Sequence, residues 1–377
     1  MKELFFVKNR SVRILSFVFL ALICLGSRAA AEGRQEAEIA DGPVLTITDQ
    51  TGRRVAVPSS VERVVTIPIP AASMMIAIDG GTDRLVGMHP KSKSALEEGI
   101  LREFFPEALD IRSDVVGNGF MPNVETLLQV DPQLVFQWGH LGADVTDPLE
   151  NAGINTALLL YGNQEYLEGW IQAFGTVLGR EEKAQRILDW HQATLEEIRG
   201  AMEAVPQDEK PRVLYFLRYL SSKSVAAQGT YNDFYLNLAG AVNPAGDMKS
   251  FPEISEEQII AWDPEIILLN GFESDLSPAD VYGNEKLADV SAVKNHKVYK
   301  VPLGGYRWDP PNQESPLMWK WLAMVFHPEM FSYDLRAEIV ANYEWIYGKI
   351  PTEDQIDGIL RIDMNADAAG YSVFKRK

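Results

Sequence analysis

The sequence predicts an α/β protein of two related lobes joined by one long helix, and three observations carry this prediction. Residues 123–137 match residues 255–269 at a constant offset of 132 positions. Between the two copies, residues 180–205 have the period of an amphipathic helix, with no proline and with no glycine before Gly200. A chain of 377 residues, 46% of them hydrophobic, is also long enough for two or three domains.

Each copy of the repeat has the signals of a short helix followed by a buried strand. Asn123 and Ser255 are good N-cap residues, and Ser255 with Gln258 predicts a capping box. The Asp-Pro pair after each helix ends it, since proline has no N–H to donate. The run of Val and Phe, or of Ile and Leu, that follows is typical of a strand buried on both faces. The shared order of cap, stop and strand predicts that both lobes are of the same α/β kind.

The remaining elements follow in the order expected of two such lobes. The first lobe is predicted to contain strands at 45–48, 54–57, 64–67 and 84–87 and a helix at 71–78. The second opens with a strand at 212–216 and a helix at 231–238, and closing helices are expected at 316–326 and 334–346. Ser315 is predicted to cap the first closing helix, with Pro316 at its first position. Beyond Tyr347 we expect a polar tail, which either packs on a lobe or forms a partner surface.

The N-terminus has the pattern of a secretory signal peptide. Four basic residues precede an apolar run of 13 residues, and the small residues Ala29-Ala30-Ala31 follow. The run is shorter than the ~20 residues that span a bilayer. Cleavage after Ala31 removes five Lys/Arg and one Glu, so the net charge falls from −18 to −22, and it also removes Cys24. An uncleaved signal anchor and a lipid anchor at Cys24 are the alternatives, although no small residue stands just before that cysteine.

The overall composition argues against several classes of function. Lys and Arg number 35 against 53 Asp and Glu. Proteins that bind nucleic acid meet its phosphates with clustered basic residues, so this balance argues against nucleic acid as a partner, and equally against adhesion to an anionic membrane. The single cysteine excludes a disulfide framework and a CxxC metal or redox site.

Four kinds of segment follow one another along the chain: residues 46–55, residues 61–65, the two helix–Asp-Pro–strand units and residues 287–299. In these segments and their order the chain resembles the class III periplasmic substrate-binding proteins of ATP-driven importers. The resemblance implies two Rossmann-like three-layer α/β lobes joined by one long backbone helix, with a ligand cleft between the lobes. The implied division is a signal peptide at 1–31, a linker at 32–43, an N-terminal lobe at 44–179, a connecting helix at 180–206, a C-terminal lobe at 207–312, and C-terminal helices and tail at 313–377.

This family carries ferric siderophores, haem, vitamin B12 and other metal chelates. The resemblance therefore implies a periplasmic, monomeric binding component of an ABC importer, without enzymatic activity or a resident cofactor. Its expected ligand is a metal chelate, with iron as the first choice of metal and a siderophore as the first choice of chelator, and its expected partner is the membrane permease. A secreted enzyme that uses the cleft and a ligand-sensing module stay open. The sequence lacks GxSxG, HExxH, P-loop and strand-linked GxGxxG motifs, which argues against the enzyme.

Two glutamates are predicted to dock the protein on its permease. In the family an exposed glutamate on each lobe meets arginines of the permease, and the matching positions are Glu125 and Glu257, again 132 positions apart. Two carboxylates at equivalent points of two lobes suit two basic sockets. The alternative is that each merely offsets the dipole of the helix whose first turn it occupies.

Ligand contacts are expected where strands end, because ligands of open α/β sheets bind beyond the carboxyl ends of the strands. Aromatic faces there can stack on flat ligands, and arginines can pair with carboxylates, catecholates or hydroxamates. The predicted ligand-binding residues are Met121, Trp138, His140, Tyr161, Arg218, Tyr219, Tyr231, Tyr306, Arg307 and Trp308. Ordinary packing of Tyr306 and Trp308, and an internal ion pair of Arg218, are the competing explanations.

A direct metal ligand from the protein is a separate question. The five histidines are scattered, with no H-x-x-x-H or HExxH spacing. His140 alone follows a predicted strand into the cleft, so it is the candidate metal ligand. A phenolate from Tyr219 or Tyr231 is an alternative, and a metal that arrives fully chelated needs no donor from the protein.

Overall fold

The computed structural model describes residues 43–376. The predicted signal peptide, its cleavage site and Cys24 lie outside this range. The first half of the described chain consists, in order, of β1 (Val44–Thr48), β2 (Arg54–Pro58), β3 (Val64–Thr66), α1 (Ala71–Asp79), β4 (Leu85–Met88), α2 (Pro90–Glu98), α3 (Leu101–Phe104), α4 (Val124–Val130), β5 (Leu134–Trp138), α5 (Ala143–Asn151), β6 (Thr156–Leu159), α6 (Gln164–Leu178) and α7 (Glu181–Met202).

The second half repeats the alternation of strand and helix and then becomes entirely helical. It consists of β7 (Val213–Arg218), β8 (Ser224–Val225), α8 (Tyr231–Leu238), α9 (Glu256–Trp262), β9 (Ile266–Leu269), α10 (Pro278–Tyr282), α11 (Ser291–Lys294), β10 (Val298–Lys300), α12 (Ser315–Phe326), α13 (Leu335–Tyr347) and α14 (Glu353–Ile359). We call the part from α12 to the last described residue the C-terminal block.

The strands form two four-stranded sheets and one hairpin. The N-terminal sheet has the order β4-β3-β5-β6 and is parallel throughout. The C-terminal sheet has the order β10-β9-β7-β8 and is parallel except for β8, which runs against β7. Strands β1 and β2 pair antiparallel, with Val44 opposite Pro58.

Each large sheet is covered on both faces. In β5, Leu134 and Phe136 pack into one hydrophobic cluster, whereas Val135 between them packs into another. Strand β9 divides its side chains between two clusters in the same way. Successive side chains of a strand point to opposite faces, so each sheet is the middle of three layers. The predicted α/β fold with two lobes is confirmed.

The internal repeat has the same construction in both lobes. Helices α4 and α9 each end at an aspartate with left-handed backbone, φ 45° at Asp131 and 44° at Asp263. Arg63, which precedes β3, donates Nε to the Asp131 carbonyl at 2.7 Å. Arg212, which precedes β7, does the same to the Asp263 carbonyl at 3.1 Å. An arginine from the neighbouring strand thus satisfies a carbonyl that the end of each helix leaves free.

Helix α7 is the predicted spine. It is continuous over 22 residues and buries the predicted stripe of Ala184, Ile187, Leu188, Leu195 and Ile198. It packs against both α6 and α12. The connection between the lobes is therefore a packed helix and not a free linker.

Three local predictions need correction. Ser315 does not cap α12: it is the first helical residue, and Glu314 holds the cap position. Ser255 caps α9 by accepting the Gln258 N–H at 3.2 Å, without the return bond of a capping box. The polar tail is wrong, because residues beyond Tyr347 form α14 and a 3₁₀ turn that bury apolar side chains, namely Ile356, Ile359, Leu360, Tyr371 and Phe374. Ile356, Ile359 and Leu360 have the spacing of one helix face, whereas Tyr371 and Phe374 follow without such a period.

Candidate ligand-binding site

Residues of both lobes enclose a cavity of about 140 Å³, which we call the cleft pocket. Strand β5 ends at Trp138, Tyr161 follows β6, and β7 carries Tyr215 toward the same space. The pocket is lined by Ile69, Pro70, Trp138, Tyr161, Tyr215, Leu217, Asn232, Phe251, Phe272, Tyr306 and Pro310. Six of these eleven residues are aromatic, so the walls suit a flat or apolar surface.

Trp138 is the centre of an aromatic group on the N-terminal side of the pocket. Its ring centroid lies 6.2 Å from Tyr161 and 6.1 Å from Phe120, edge-on in both cases, and 5.0 Å from His140. The neighbouring Gln137 is fully buried, and its amide donates to the Phe120 carbonyl at 3.1 Å. This bond holds residues 117–121, a segment with two glycines that precedes α4, against the end of β5.

The segment from 301 to 314, which we call the cleft loop, forms the opposite wall. It contributes Tyr306 to the pocket and places the fully buried Asp309 behind it. Asp309 Oδ2 accepts from the Tyr215 hydroxyl at 2.6 Å and from the Gly271 N–H at 3.0 Å. Burial, together with the negative charge of Asp309, raises the pKa of Tyr215, which therefore stays protonated. Within residues 43–376, Asp309 Oδ1 and the Tyr306 hydroxyl have no hydrogen-bond partner.

Glu314 holds the cleft loop from behind. This fully buried carboxylate accepts the Gly305 N–H at 2.9 Å, the Trp308 indole N–H at 2.6 Å and the Tyr343 hydroxyl at 2.7 Å, and it accepts the Tyr347 hydroxyl as well. Burial raises the pKa of Glu314 in spite of these donors. A Cβ at position 305 would collide with Tyr347 and Glu314, so the loop requires a glycine there.

The two predicted arginines lie beside the same aromatic wall but have different partners. The guanidinium carbons of Arg218 and Arg307 lie 5.0 and 5.2 Å from the centroid of Phe272. Arg307 is buried, donates Nε to the Gly271 carbonyl at 2.6 Å and pairs with Glu98 at 3.1 Å. Arg218 is half-buried and donates to the carbonyl of its own neighbour Leu217 at 2.6 Å.

The structure brings Trp138, Tyr161 and Tyr306 together as pocket walls, with His140 beside Trp138. It does not bring four other predicted residues to the pocket. Met121 is 41% exposed, and Tyr219 packs in the cluster on the outer face of the C-terminal sheet. Tyr231 is buried and donates to Gln164 Oε1 at 3.1 Å, and Trp308 is buried against Glu314. The end of a strand indicates which residues lie near the cleft. The direction in which each aromatic ring then packs depends on the backbone conformation of the residues after the strand.

Several residues of the site escaped the sequence reasoning. Tyr215 lies inside a predicted strand, and Asn232 lies in the first turn of a predicted helix, so neither is among the predicted ligand-binding residues. Asp309 carries a weak signal, because it stands between the glycine pair and Pro310-Pro311. Nothing in the sequence pattern marks Glu314, since its role depends on tyrosines some 30 positions later.

His140, the predicted metal ligand, has its ring 6.5 Å from that of Tyr161. Partial burial lowers the pKa of His140, so its imidazole is neutral at neutral pH. In the part of the chain that the structure describes, no three His, Cys, Asp or Glu residues are grouped to hold a metal ion. Nor does any helix between residues 43 and 376 have the length and apolar character that crossing a membrane requires.

Glu125 and Glu257 occupy the second position of α4 and α9, and both are exposed. A helix that precedes a strand of a parallel sheet runs against it, so its N-terminus lies at the edge where the strands end. Both glutamates therefore lie toward the cleft edge of their lobes. Three residues further on, Leu128 and Ile260 are 57% and 45% exposed, again at the offset of 132.

Two α/β lobes, a packed spine and an aromatic pocket between the sheets define a solute-binding protein. The chain belongs to the family described as "Periplasmic binding protein", whose model matches residues 71–303. The family and the relatives below are binding proteins, and the resemblance seen in the sequence is thereby confirmed.

Three similar proteins illustrate the range of the family. A periplasmic solute binding protein from Veillonella parvula is 32% identical, with a TM-score of 0.77 over 86% of this chain and 99% of that chain. The molybdate-binding protein MolA of Haemophilus influenzae is 22% identical over 326 residues, which cover 80% of this chain and 90% of MolA. The Fe(3+)-citrate-binding protein YfmC of Bacillus subtilis is 20% identical over 297 residues, or 77% of this chain and 89% of YfmC.

Proposed function

We propose that this protein is the extracytoplasmic binding component of an ABC importer and that it captures a metal chelate, with a ferric siderophore as the first candidate, in the cleft pocket. The single observation that carries the proposal is the pocket itself, which aromatic side chains of both lobes enclose at the carboxyl ends of the parallel strands of two sheets. Relatives that bind molybdate and ferric citrate support a ligand that contains a metal. Capture follows from closure of the two lobes on the ligand and needs no chemical step.

The shape of the pocket supports a ligand with a flat, unsaturated portion. A cavity of about 140 Å³ holds a group of the size of one aromatic ring, while the rest of a larger chelate would lie in the opened cleft. Trp138 and Tyr161 come from one lobe and Phe272 and Tyr306 from the other, so a ring between them touches both lobes. Such a ligand favours the closed state because only that state surrounds it.

The test is a titration of the purified protein with a panel of chelates, followed by tryptophan fluorescence and calorimetry. The panel contains ferric catecholate and hydroxamate siderophores, ferric citrate, haem, cobalamin, a nickel–histidine complex and molybdate. We expect one class to bind and to quench Trp138. Trp138→Phe should remove most of that quenching, whereas Trp190→Phe on α7, half-buried and outside the pocket lining, should not. Binding of none of the panel, or equal quenching in both variants, would contradict the proposal.

We also propose that delivery to the permease uses Glu125 and Glu257. Their support is the matched exposure and helix position in two lobes of one construction. Acidic residues in a first turn also offset the helix dipole, so a test must read transport and not stability alone. Export by the N-terminal signal and cleavage after Ala31 complete the proposal, and the mass of the secreted protein would show whether it begins at Glu32.

A further inference from the structure

Arg218 and Arg307, the two arginines beside Phe272, differ in how many protein groups pair with their guanidinium. The side chain of Arg307 is 3% exposed and that of its partner Glu98 is 29% exposed. Besides Glu98 and Gly271, Arg307 reaches the Lys91 carbonyl at 3.4 Å. The guanidinium cannot turn to a ligand without giving up Glu98 and Gly271, and a buried charge that loses its partners is costly.

The partners of Arg307 come from both lobes. Glu98 and Lys91 belong to α2 beside the N-terminal sheet, whereas Gly271 follows β9 of the C-terminal sheet. The adjoining backbone is in equally close contact, because the Ile100 N–H donates to the Gly304 carbonyl at 3.1 Å. Arg307 therefore stands where the cleft loop is tied to the end of α2.

Arg218, in contrast to Arg307, has few hydrogen-bond and ion-pair partners among the described residues. Its guanidinium is half-buried, and within residues 43–376 no carboxylate forms an ion pair with it. Among the described residues, its one hydrogen bond goes to the carbonyl of Leu217, which lines the pocket. Most of its donors thus remain available next to the pocket. A guanidinium offers donors in a planar fork that matches carboxylates, catecholates and hydroxamates.

We propose that these two arginines have different tasks: Arg218 binds the negatively charged group of the ligand, whereas Arg307 is a positioning residue that ties the cleft loop to α2 through Glu98. The Arg218 assignment rests on the proposed function, since it requires a ligand in this pocket. The Arg307 assignment does not, because its partners all belong to the protein. Both guanidinium groups lie within cation–π distance of the Phe272 ring.

The Arg307 task is tested without ligand. Spin labels on cysteines placed at the exposed positions Gln129 and Lys294, one in each lobe, report the distance between the lobes in a Cys24→Ser background. Glu98→Gln removes the charge that holds Arg307 and should broaden or lengthen this distance. Glu97→Gln, at the exposed neighbouring position of α2, is the matched control and should leave it unchanged. Identical distance distributions for Glu98→Gln and Glu97→Gln would overturn the proposal that Arg307 ties the cleft loop to α2.

The Arg218 task is tested with ferric citrate as the anionic probe, and with any anionic member of the panel that binds more tightly. Arg218→Met should weaken binding about 10- to 100-fold and abolish its dependence on salt, with an unchanged lobe distance. Glu98→Gln should keep the salt dependence. Unchanged affinity in Arg218→Met, or loss of salt dependence in Arg307→Lys with an unchanged lobe distance, would overturn the division of tasks. If nothing in the panel binds, the proposed function and the Arg218 task fail together, while the label distance still decides the Arg307 task.

Discussion

The side-chain amide of Asn365 pairs with both backbone groups of Lys300. Its Oδ1 accepts the Lys300 N–H at 2.7 Å, and its Nδ2 donates to the Lys300 carbonyl at 3.0 Å. Lys300 ends β10, which is the edge strand of the C-terminal sheet. Asn365 thus takes the place of a further strand, and with it the C-terminal block covers an edge that would otherwise expose free backbone groups.

Asn365→Ala should destabilise the protein by about 1–3 kcal/mol, because it leaves two buried backbone groups without partners. Chemical denaturation at neutral pH measures this change. Asn295→Ala, at an exposed position near the same sheet, is the control and should change the free energy of unfolding by less than about 0.5 kcal/mol. Equal effects of the two substitutions would show that the pairing contributes nothing to stability.

Glu314→Ala should be among the most damaging single substitutions in the cleft loop. It leaves the Trp308 indole and two tyrosine hydroxyls buried without their acceptor, so we expect a loss of about 3–5 kcal/mol. Glu344→Ala, an exposed glutamate of α13, should be nearly neutral. Thermal unfolding compares the two, and a small effect at Glu314 would contradict its role in holding the loop.

Stability should fall as the pH drops below about 6.5. Burial lowers the pKa of His89 to about 4, and its neutral Nδ1 caps α2 by accepting the Lys91 N–H at 3.0 Å. The unfolded state, with an ordinary pKa near 6.5, binds the proton first, so the contribution of His89 is present above about pH 6.5 and is lost toward pH 4. Between about pH 7.5 and pH 5 the lost contribution of His89 lowers the free energy of unfolding by about 2 kcal/mol.

His89→Asn tests this dependence, because asparagine also caps helices but does not titrate. The variant should lose less stability than the parent between about pH 7.5 and pH 5 in urea denaturation. His191, whose pKa burial also lowers to about 4, remains in the variant and keeps part of the slope. An identical slope in parent and variant would exclude His89 as a source.

If Glu125 and Glu257 dock as proposed, the double variant Glu125→Arg, Glu257→Arg should reduce transport at least about tenfold, because it would place like charges against the proposed basic sockets of the permease. Ligand affinity should not change, since neither residue lines the cleft pocket. Uptake by the reconstituted importer and titration of the free protein measure the two effects. The matched control is Glu182→Arg, Glu329→Arg, two exposed positions away from both repeat helices. Normal uptake by the first variant, or equal loss in both, would contradict docking through these glutamates.

The repeat was open to prediction because its signals are local. A cap, an Asp-Pro stop and an apolar run each act within a few residues, and they occur in both lobes with the same φ values at Asp131 and Asp263. The long helix α7 could be predicted equally well, from the regular spacing of its apolar residues. The part beyond Tyr347 could not, because its side chains are buried by partners far away in the chain, as Tyr371 is by Trp321. The two helices before it, α12 and α13, were predicted.

The sequence by itself determined two α/β lobes, the spine and the strand ends at which the cleft lies, since hydrophobic period and proline position depend on neighbours in the chain. Only the tertiary structure decided which side chains meet there. Trp138, Tyr161 and Tyr306 line the pocket, while Tyr231 and Trp308, predicted on the same grounds, are buried and do not line it. The tertiary structure also decided that Glu98 forms an ion pair with Arg307, whereas no carboxylate among the described residues pairs with Arg218. The physical reason is that burial and ion pairing depend on contacts between segments up to about 200 positions apart, as in the bond from Arg307 to Glu98.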